Sequence, residues 1–435
     1  MNIAPINWCR CTSCHAGYGW KEKNYDFTVE ENVDCLVCHD TTGSYRKFPT
    51  ACGHPAYVDK KFGKKTFKAV DLRKVALKVG ETSRTTCGRC HFYGGGDDGV
   101  KHGDLDSSLF KPDKNLDVHM DVKGLNYSCS TCHTTKAHQI SGRYYTHAAP
   151  NKHQLALPKD DGERLACESC HGRLPHKNGD ILNHHNDKVA CQTCHIPRYA
   201  RGGKFTKMWW DWSTAGKFAA DGKAIVKKDE YGNILFHSKK GDMGWGRNVI
   251  PEYGWYNGSM NYLVASDKIP AGAEKIKINS LQGDYKDPQA RIFPFKIMRG
   301  KQPYDPKNRT LIIPYLVGKK GSGAYWADYD WERASAVGMR EAGLPFSGKV
   351  DFIETEMYWP ITHMVAPKEQ ALSCEECHSR KSGRLADLKG FYLPGRDRWN
   401  LLDRMAWIVL WLTLLGVLLH AGLRFVSASR KGGQS

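Results

Sequence analysis

The 435-residue sequence predicts a mainly α-helical fold with extensive loops, followed by one C-terminal transmembrane helix. Three observations predict this class. A short Cys and His pattern recurs seven times, and six of its copies fall within the first 195 residues. The segments between the copies are short and broken by glycine and proline, which favours short helices and loops. An uncharged apolar run of 19 residues lies near the C-terminus.

The recurring pattern is Cys-x-x-Cys-His. With 16 Cys and 19 His in the chain, a random order would produce it about 0.03 times. Seven copies therefore exclude chance, a disulfide-stapled scaffold and an array of zinc fingers. The copies are Cys11-Cys14-His15, Cys35-Cys38-His39, Cys87-Cys90-His91, Cys129-Cys132-His133, Cys167-Cys170-His171, Cys191-Cys194-His195 and Cys374-Cys377-His378.

This pattern is the attachment signature of a c-type haem. Two thiols add to the two vinyl groups of one porphyrin, and the His that follows supplies an imidazole to the iron. A zinc site would need two more ligands near each pair and has no use for His in that position. We therefore predict seven haem c groups and a multihaem cytochrome c fold that is organised by haem packing.

Electron-transfer haems usually carry a second His, and the sequence has enough of them. Eleven His remain when the seven motif His and His420 are set aside. The best-placed distal ligands lie in polar or turn contexts and are His54, His102, His119, His138, His176, His185 and His363. Weaker candidates are His147, His153, His184 and His237.

The motif spacing divides the chain into four predicted parts. The large gap between the sixth and seventh motifs is rich in aromatic residues, which we expect to pack against haem edges and one another. It also predicts one helix over 331–342 and a turn leading into a strand at 228–236. The parts are a six-haem domain (1–200), an aromatic-rich domain without motifs (201–370), the last motif with a linker (371–400) and the transmembrane helix (404–426).

The net charge of the polypeptide is +18, from 64 basic and 46 acidic residues. Such a balance often indicates nucleic acid. Here the propionates of seven haems would add about −14, so the holoprotein is much closer to neutral. We therefore expect no nucleic-acid partner. Many basic residues are expected to pair with propionates, and the remainder to line an entry path for an anionic substrate.

Residues 405–423 carry no charge and would span about 28 Å as a helix, close to the thickness of a bilayer core. Trp407 and Trp411 lie near one end, and three basic residues from Arg424 to Lys431 follow the other. The positive-inside rule places this short tail in the cytoplasm and the haem-bearing part outside. We predict a single-pass protein on the periplasmic side of the bacterial inner membrane.

Haem attachment of this kind takes place outside the cytoplasm, so the chain must be exported. The first ten residues have neither the basic nor the apolar region of a signal peptide. We therefore expect the untruncated protein to begin upstream of Met1.

The segments around several motifs resemble the octahaem tetrathionate reductase family. The resemblance runs from about residue 11 to 396 and implies a distant relationship to hydroxylamine oxidoreductases and pentahaem nitrite reductases. Two departures stand out: an eighth haem would have to precede Met1, and the C-terminal anchor is not expected of the soluble members. The segments are CTSCHAGYGW at 11–20, VDCLVCHD at 33–40, CGRCHFYGGG at 87–96, VACQTCHIP at 189–197 and MYWPITHM at 357–364.

The resemblance also implies catalytic residues. In the family a Lys ligates the iron of the haem whose motif matches Cys11 and Cys14, and the matching segment makes Lys101 the ligand and Asp98 the acid. The alternative is that Lys101 pairs with a propionate. Family members place a Cys near this haem, for which Cys9 is the nearest candidate. Cys9 and Cys52 could equally be free thiols or a disulfide.

The leading interpretation is a reductase of tetrathionate, nitrite or hydroxylamine. Its electrons would come from a membrane donor that is quinol-linked or of the cytochrome b type, and its substrate would be a small anionic or neutral inorganic molecule. A second interpretation is an oxidase of a reduced nitrogen or sulfur compound. The non-enzymatic alternative is an electron conduit in which every haem has two His ligands.

Overall fold

The computed structural model describes residues 6–142, 146–147, 165–177, 180–380 and 383–432. The predicted distal candidate His153 lies outside these ranges. Within the chain, contacts divide the protein between Leu372 and Ser373 into two units. The first holds six motifs and the sheets, and the second holds the last motif and a long helix.

Each of the seven motifs forms a helix or one 3-10 turn. One turn of helix places two thiols three residues apart on the same side, with the next imidazole beside them. Polar caps begin several of these helices; the Asp34 side chain, for example, accepts a hydrogen bond from the backbone N–H of Val37 (3.2 Å). The helices of the first unit's N-terminal part are the 3-10 turns Cys11–Cys14, Glu30–Asn32 and Ser107–Phe110, and α1 Cys35–His39, α2 Leu72–Ala76, α3 Arg84–His91, α4 Cys129–Cys132, α5 Glu168–His171, α6 Asp180–His185 and α7 Cys191–His195.

Short strands accompany these helices. A two-stranded hairpin joins β1 to β2, and another joins β3 to β4. The fifth strand pairs with a strand further along the chain. Their bounds are β1 Lys60–Phe62, β2 Lys65–Phe67, β3 Thr135–Lys136, β4 Gln139–Ile140 and β5 Thr146–His147.

A nine-stranded sheet occupies much of the region that follows, so the expectation of a mainly α fold is not confirmed. The sheet order is β12-β16-β14-β6-β9-β8-β7, and β10 and β15 also pair with β14. A separate sheet has the order β13-β11-β5. The strands are β6 Thr206–Asp211, β7 Val226–Lys228, β8 Ile234–His237, β9 Gly241–Gly246, β10 Glu252–Tyr256, β11 Ser259–Tyr262, β12 Lys275–Lys277, β13 Asn279–Leu281, β14 Arg291–Asp305, β15 Thr310–Leu311 and β16 Asp351–Pro360.

The centre of the large sheet is the antiparallel pair β14 and β16. Their register runs from Phe295 opposite Pro360 to Tyr304 opposite Asp351 and places Lys296 opposite Trp359. Aromatic side chains on and around β14 bury one another, and such packing stabilises strands more than helices of the same composition. One such core cluster contains Ala190, Tyr256, Met260, Phe293 and Phe295.

Two local predictions in this region are confirmed. The expected helix is α9 Trp331–Glu341, whose N-cap Asp330 accepts a hydrogen bond from the Arg333 N–H (2.9 Å). It follows the single turn α8 Tyr325–Asp328. The expected turn into a strand is the hairpin of β7 and β8, which are antiparallel. Two 3-10 turns, Trp212–Thr214 and Lys368–Gln370, complete the helices of this unit.

The second unit contains α10 Cys374–Cys377 and α11 Asn400–Gly432. The Arg396 guanidinium organises the linker between them, because it donates to the carbonyls of Leu385 (2.9 Å) and Phe391 (2.8 Å) and pairs with Asp397 (2.7 Å). The segment Asn400–Ser429 of α11 contains an 18-residue stretch with a mean hydropathy of 2.0 and is long enough to cross a membrane.

Candidate haem and catalytic sites

The attachment thiols of different motifs meet in space. Thiols of the first motif lie beside those of the third, thiols of the third beside those of the fourth, and thiols of the fifth beside those of the sixth. Thiols of the second motif are also close to the third, and thiols of the fifth are close to the fourth. The six motifs of the first unit are therefore all linked as neighbours. The adjacent thiols are Cys14 with Cys90, Cys87 with Cys129, and Cys167 with Cys191.

Four predicted distal His face a motif His at the spacing that an iron requires. Two metal–nitrogen bonds of about 2 Å, and about 1 Å from each nitrogen to its ring centre, separate the centres of two axial imidazoles by ~6 Å. The pairs are His39 with His138 (6.3 Å), His171 with His119 (6.0 Å), His133 with His363 (6.3 Å) and His195 with His176 (6.1 Å).

Motif imidazoles are also oriented for metal binding. The Nδ1 atoms of four motif His lie at hydrogen-bonding distance from backbone carbonyls, an arrangement that leaves Nε2 for a metal. In the described part of the chain, the buried Nε2 of His15 has no hydrogen-bond partner, which is the orphan atom that an iron would satisfy. The carbonyls belong to Thr12 for His15 (2.6 Å), Gly80 for His39 (2.8 Å), Ser141 for His133 (3.0 Å) and Pro394 for His378 (2.9 Å).

The other three predicted distal His lie in different surroundings. The ring of His54 stacks on Tyr18 (5.1 Å), and its charge contributes to lowering the pKa of His15. The ring of His102 packs edge-on against Trp359 (4.9 Å), and desolvation lowers the pKa of His102 to about 4. The Nδ1 atom of His185 lies 2.8 Å from the carbonyl oxygen of Ile181 in the same helix.

Lys101 lies on the loop that follows the third motif. Its backbone N–H donates to the carbonyl of Gly94 (3.2 Å), and its ammonium lies 4.6 Å above the Trp359 ring. The side chain remains exposed, yet desolvation by the surrounding atoms lowers its pKa. Its charge in turn helps to lower the pKa of His91. An amine that ligates iron must be neutral, and the lowered pKa of Lys101 makes loss of its proton easier.

The other two residues implied by the resemblance have defined partners. The Asp98 carboxylate accepts hydrogen bonds from the N–H (2.8 Å) and hydroxyl (2.5 Å) of Ser107 and lies 3.4 Å from the Lys204 ammonium. Cys9 forms a disulfide with Cys52. The expectation of a free catalytic thiol at Cys9 is therefore wrong for this structure, because the sulfur is part of the disulfide. A catalytic role for Cys9 would require reduction of that bond.

Sequence reasoning missed Asp104. Its buried carboxylate oxygen Oδ2 accepts the backbone N–H groups of Thr362 (2.8 Å) and His363 (3.0 Å) and lies 3.1 Å from the Nδ1 of His363. Burial opposes ionisation, but these interactions hold the pKa of Asp104 at about 2. Asp104 therefore orients the imidazole that faces His133. No pattern near Asp104 indicates this role.

Sequence reasoning also missed Lys296. Its fully buried ammonium donates to the carbonyls of Val100 (2.9 Å) and Lys101 (3.0 Å) and to the hydroxyl of Thr206. Burial lowers the pKa of Lys296 to about 7. A lysine inside the apolar run of β14 is the signal that could have identified it, because lysine is rarely buried without partners.

Helical attachment turns, adjacent thiols and imidazoles at the spacing of an iron define the class of this protein. It is a multihaem c-type cytochrome.

Comparisons with known proteins agree with that class. The bacterial cytochrome c family matches residues 207–381. The crystal structure of octaheme cytochrome c from Shewanella oneidensis aligns with a TM-score of 0.74 and 44% identity, over 87% of this chain and 79% of that chain. No curated protein matches the chain. The chain belongs to the octahaem cytochrome c family, and its general function is electron transfer by haem c.

Proposed function

We propose that the protein is a membrane-anchored periplasmic reductase that delivers electrons to tetrathionate, nitrite or hydroxylamine at a Lys-ligated haem. The observation that supports this proposal is the position of Lys101. Its amine acts electrostatically on His91 of the third motif, and Cys90 of that motif is a neighbour of Cys14 of the first motif. The third motif therefore connects Lys101 to the motif at which the resemblance places the catalytic haem.

The chain's own residues have separate parts in this proposal. Bound haem would supply one-electron transfer and an iron for a small inorganic substrate. Lys101 would hold that iron, and the Trp359 ring lies 4.6 Å from its side-chain nitrogen. Asp98, three positions before Lys101 in the sequence, is the acid. Ser107 and Lys204 hold its carboxylate in place. The disulfide of Cys9 lies two residues before the first attachment thiol.

We also propose that all seven motifs of this chain carry a covalent haem. Mass spectrometry of the intact holoprotein counts the covalent haems directly, because each adds one fixed increment to the polypeptide mass. Six or fewer increments would mean that one motif is not used.

The proposed location follows from α11, whose apolar length fits one bilayer crossing with the basic end in the cytoplasm. The haem-bearing part then lies in the periplasm beside the inner membrane. A quinol-linked or cytochrome b-type membrane protein is the proposed electron donor. An oxidase of a reduced nitrogen or sulfur compound would use the same site with the electron flow reversed.

One observation favours the conduit as a second candidate. In the described part of the chain, four motif His face a predicted distal His. If His54, His102 and His185 ligated irons as well, every haem in this chain would have two His ligands and Lys101 would have no iron.

Replacing Lys101 with Leu decides between the two. A reductase should lose turnover of tetrathionate, nitrite and hydroxylamine with reduced viologen as donor, and one haem should change its electron paramagnetic resonance signal. The exposed Lys111 provides the matched control, since Lys111→Leu should leave both unchanged. Retained turnover with unchanged signals in Lys101→Leu would leave only the conduit.

A further inference from the structure

Lys296 is a lysine in the middle of the sheet. It lies on the central strand β14 between Phe295 and Ile297 and has no exposed surface. Its three described hydrogen bonds all end on neutral oxygens. Burying an ammonium is costly unless its protons are all bonded. A methionine would fill the same space without that cost, so the three hydrogen bonds are what a lysine adds at this position.

All three bonds serve the loop that carries Lys101. Two reach the carbonyls of Val100 and Lys101 directly. The third reaches the Thr206 hydroxyl, which itself donates to the carbonyl of Gly99 (2.7 Å). Gly99 has a φ of +66°, a left-handed conformation that glycine adopts without strain. The backbone of 99–101 is thus tied to the sheet at three consecutive carbonyls.

The register of the sheet links this backbone contact to the side chain of Lys101. Lys296 on β14 stands opposite Trp359 on β16, and the Trp359 ring lies 4.6 Å below the Lys101 ammonium. These two facing residues therefore both contact Lys101. Lys296 contacts its backbone carbonyl, and Trp359 contacts the end of its side chain.

We propose that Lys296 is a positioning residue, which fixes the Lys101 loop so that the amine of Lys101 reaches the iron. This inference rests on the proposed function, because it assumes that Lys101 is a ligand. A functional group on a rigid element is positioned more precisely than one on a free loop. Displacing a reacting group by about 1 Å can lower the rate about 100-fold.

The test compares Lys296→Met with Lys301→Met, the same substitution on the same strand at a half-buried lysine. Three quantities are measured on the full holoprotein: the magnetic resonance signal of each haem, kcat with reduced viologen, and hydrogen exchange of residues 99–106. Lys296→Met should retain every haem, alter the signal of the Lys-ligated haem, lower kcat by about 100-fold and speed exchange of the loop about tenfold or more. Lys301→Met should change none of these.

Thr206→Val is a milder second variant if Lys296→Met does not fold. It keeps the lysine and its bonds to Val100 and Lys101, but it removes the hydroxyl that accepts from Lys296 and donates to Gly99. A smaller change in the same three quantities is expected. An unchanged signal of the Lys-ligated haem in both variants would overturn the positioning role, whether or not the loop exchanges faster.

Failure of the proposed function gives a different result. If Lys101→Leu leaves every haem signal unchanged, Lys101 is not a ligand and the positioning role falls with it. Faster exchange in Lys296→Met would then report a loop contact without influence on any haem. If Lys101→Leu alters one haem and Lys296→Met does not, the reductase proposal stands and only the positioning role is overturned.

Discussion

The imidazole of His133, in the fourth motif, faces the imidazole of His363 with their ring centres 6.3 Å apart. His133 follows a one-turn helix, whereas His363 follows the last strand of the large sheet. The two rings are separated by the distance that a bis-His iron spans. A haem between them would therefore join the motif-rich part of the chain to the sheet.

Asp104 should tune the haem between these two rings. A carboxylate beside Nδ1 makes a ligating imidazole more electron-rich and stabilises ferric iron. We expect Asp104→Asn to raise the reduction potential of one haem. Each tenfold decrease in the preference of the site for ferric over ferrous iron raises the potential by about 59 mV. Spectroelectrochemical titration measures this shift. Asp229→Asn, in the exposed β7–β8 turn, is the control, and equal titration curves for the two variants would contradict the prediction.

His119 should ligate the iron of the haem attached at Cys167 and Cys170, because its ring lies 6.0 Å from His171. Replacing His119 with Ala should convert that one haem to a high-spin signal while all covalent haems remain attached. Optical and magnetic resonance spectra of the purified variant provide the measurement. Tyr127→Ala, which removes the ring stacked on His119 but no imidazole, is the control and should keep every haem low-spin. The absence of a high-spin signal in His119→Ala would show that the pairing is wrong.

Removal of α11 should release the protein from the membrane. A stop codon after Trp399 deletes the whole apolar helix and keeps the Arg396 contacts of the linker. The shortened protein should appear in the soluble periplasmic fraction with the same number of haems as the full chain. Fractionation followed by haem staining checks this. A shortened protein that still pellets with membranes would rule out α11 as the anchor.

Asp305 should stabilise the end of β14 in a pH-dependent way. Although burial raises its pKa, hydrogen bonds from Asn308 and Ser347 hold the pKa of Asp305 below its usual value. Because the folded-state pKa lies below the unfolded value of about 3.9, this stabilisation is complete above that pH and is lost as the pH falls through the folded pKa.

We therefore expect Asp305→Ala to lower the free energy of unfolding by about 2 kcal/mol at neutral pH and by less at pH 3. Denaturant unfolding at the two pH values gives the comparison. Asp221→Ala, at an exposed aspartate, should change little. A loss for Asp305→Ala that is the same at both pH values would contradict the titration argument.

The haem attachment sites could be predicted from the sequence because their chemistry is local. Cys167, Cys170 and His171 need only one helical turn to meet one porphyrin, and no distant residue alters that spacing. The helix at Trp331–Glu341 was predictable for the same reason, since its N-cap Asp330 immediately precedes the eleven residues that carry its apolar face.

The large sheet could not be predicted in the same way. Phe293 and Phe295 are consistent with a buried helix or a strand, and the choice depends on partners such as Tyr256 and Tyr358, which lie elsewhere in the chain. Some of the aromatic residues expected to pack against haem edges and one another therefore pack against one another in a sheet core.

The sequence by itself determined what the protein carries: haem c at repeated Cys-x-x-Cys-His turns, a set of spare His, and one apolar C-terminal helix. Only the tertiary structure decided which residues meet: His119 with His171, Cys9 with Cys52, Asp104 with His363, and Lys296 with the carbonyl of Lys101. The reason is physical. Covalent attachment and helix formation depend on neighbours along the chain, whereas ligand pairing and buried hydrogen bonds depend on residues brought together by sheet register and packing.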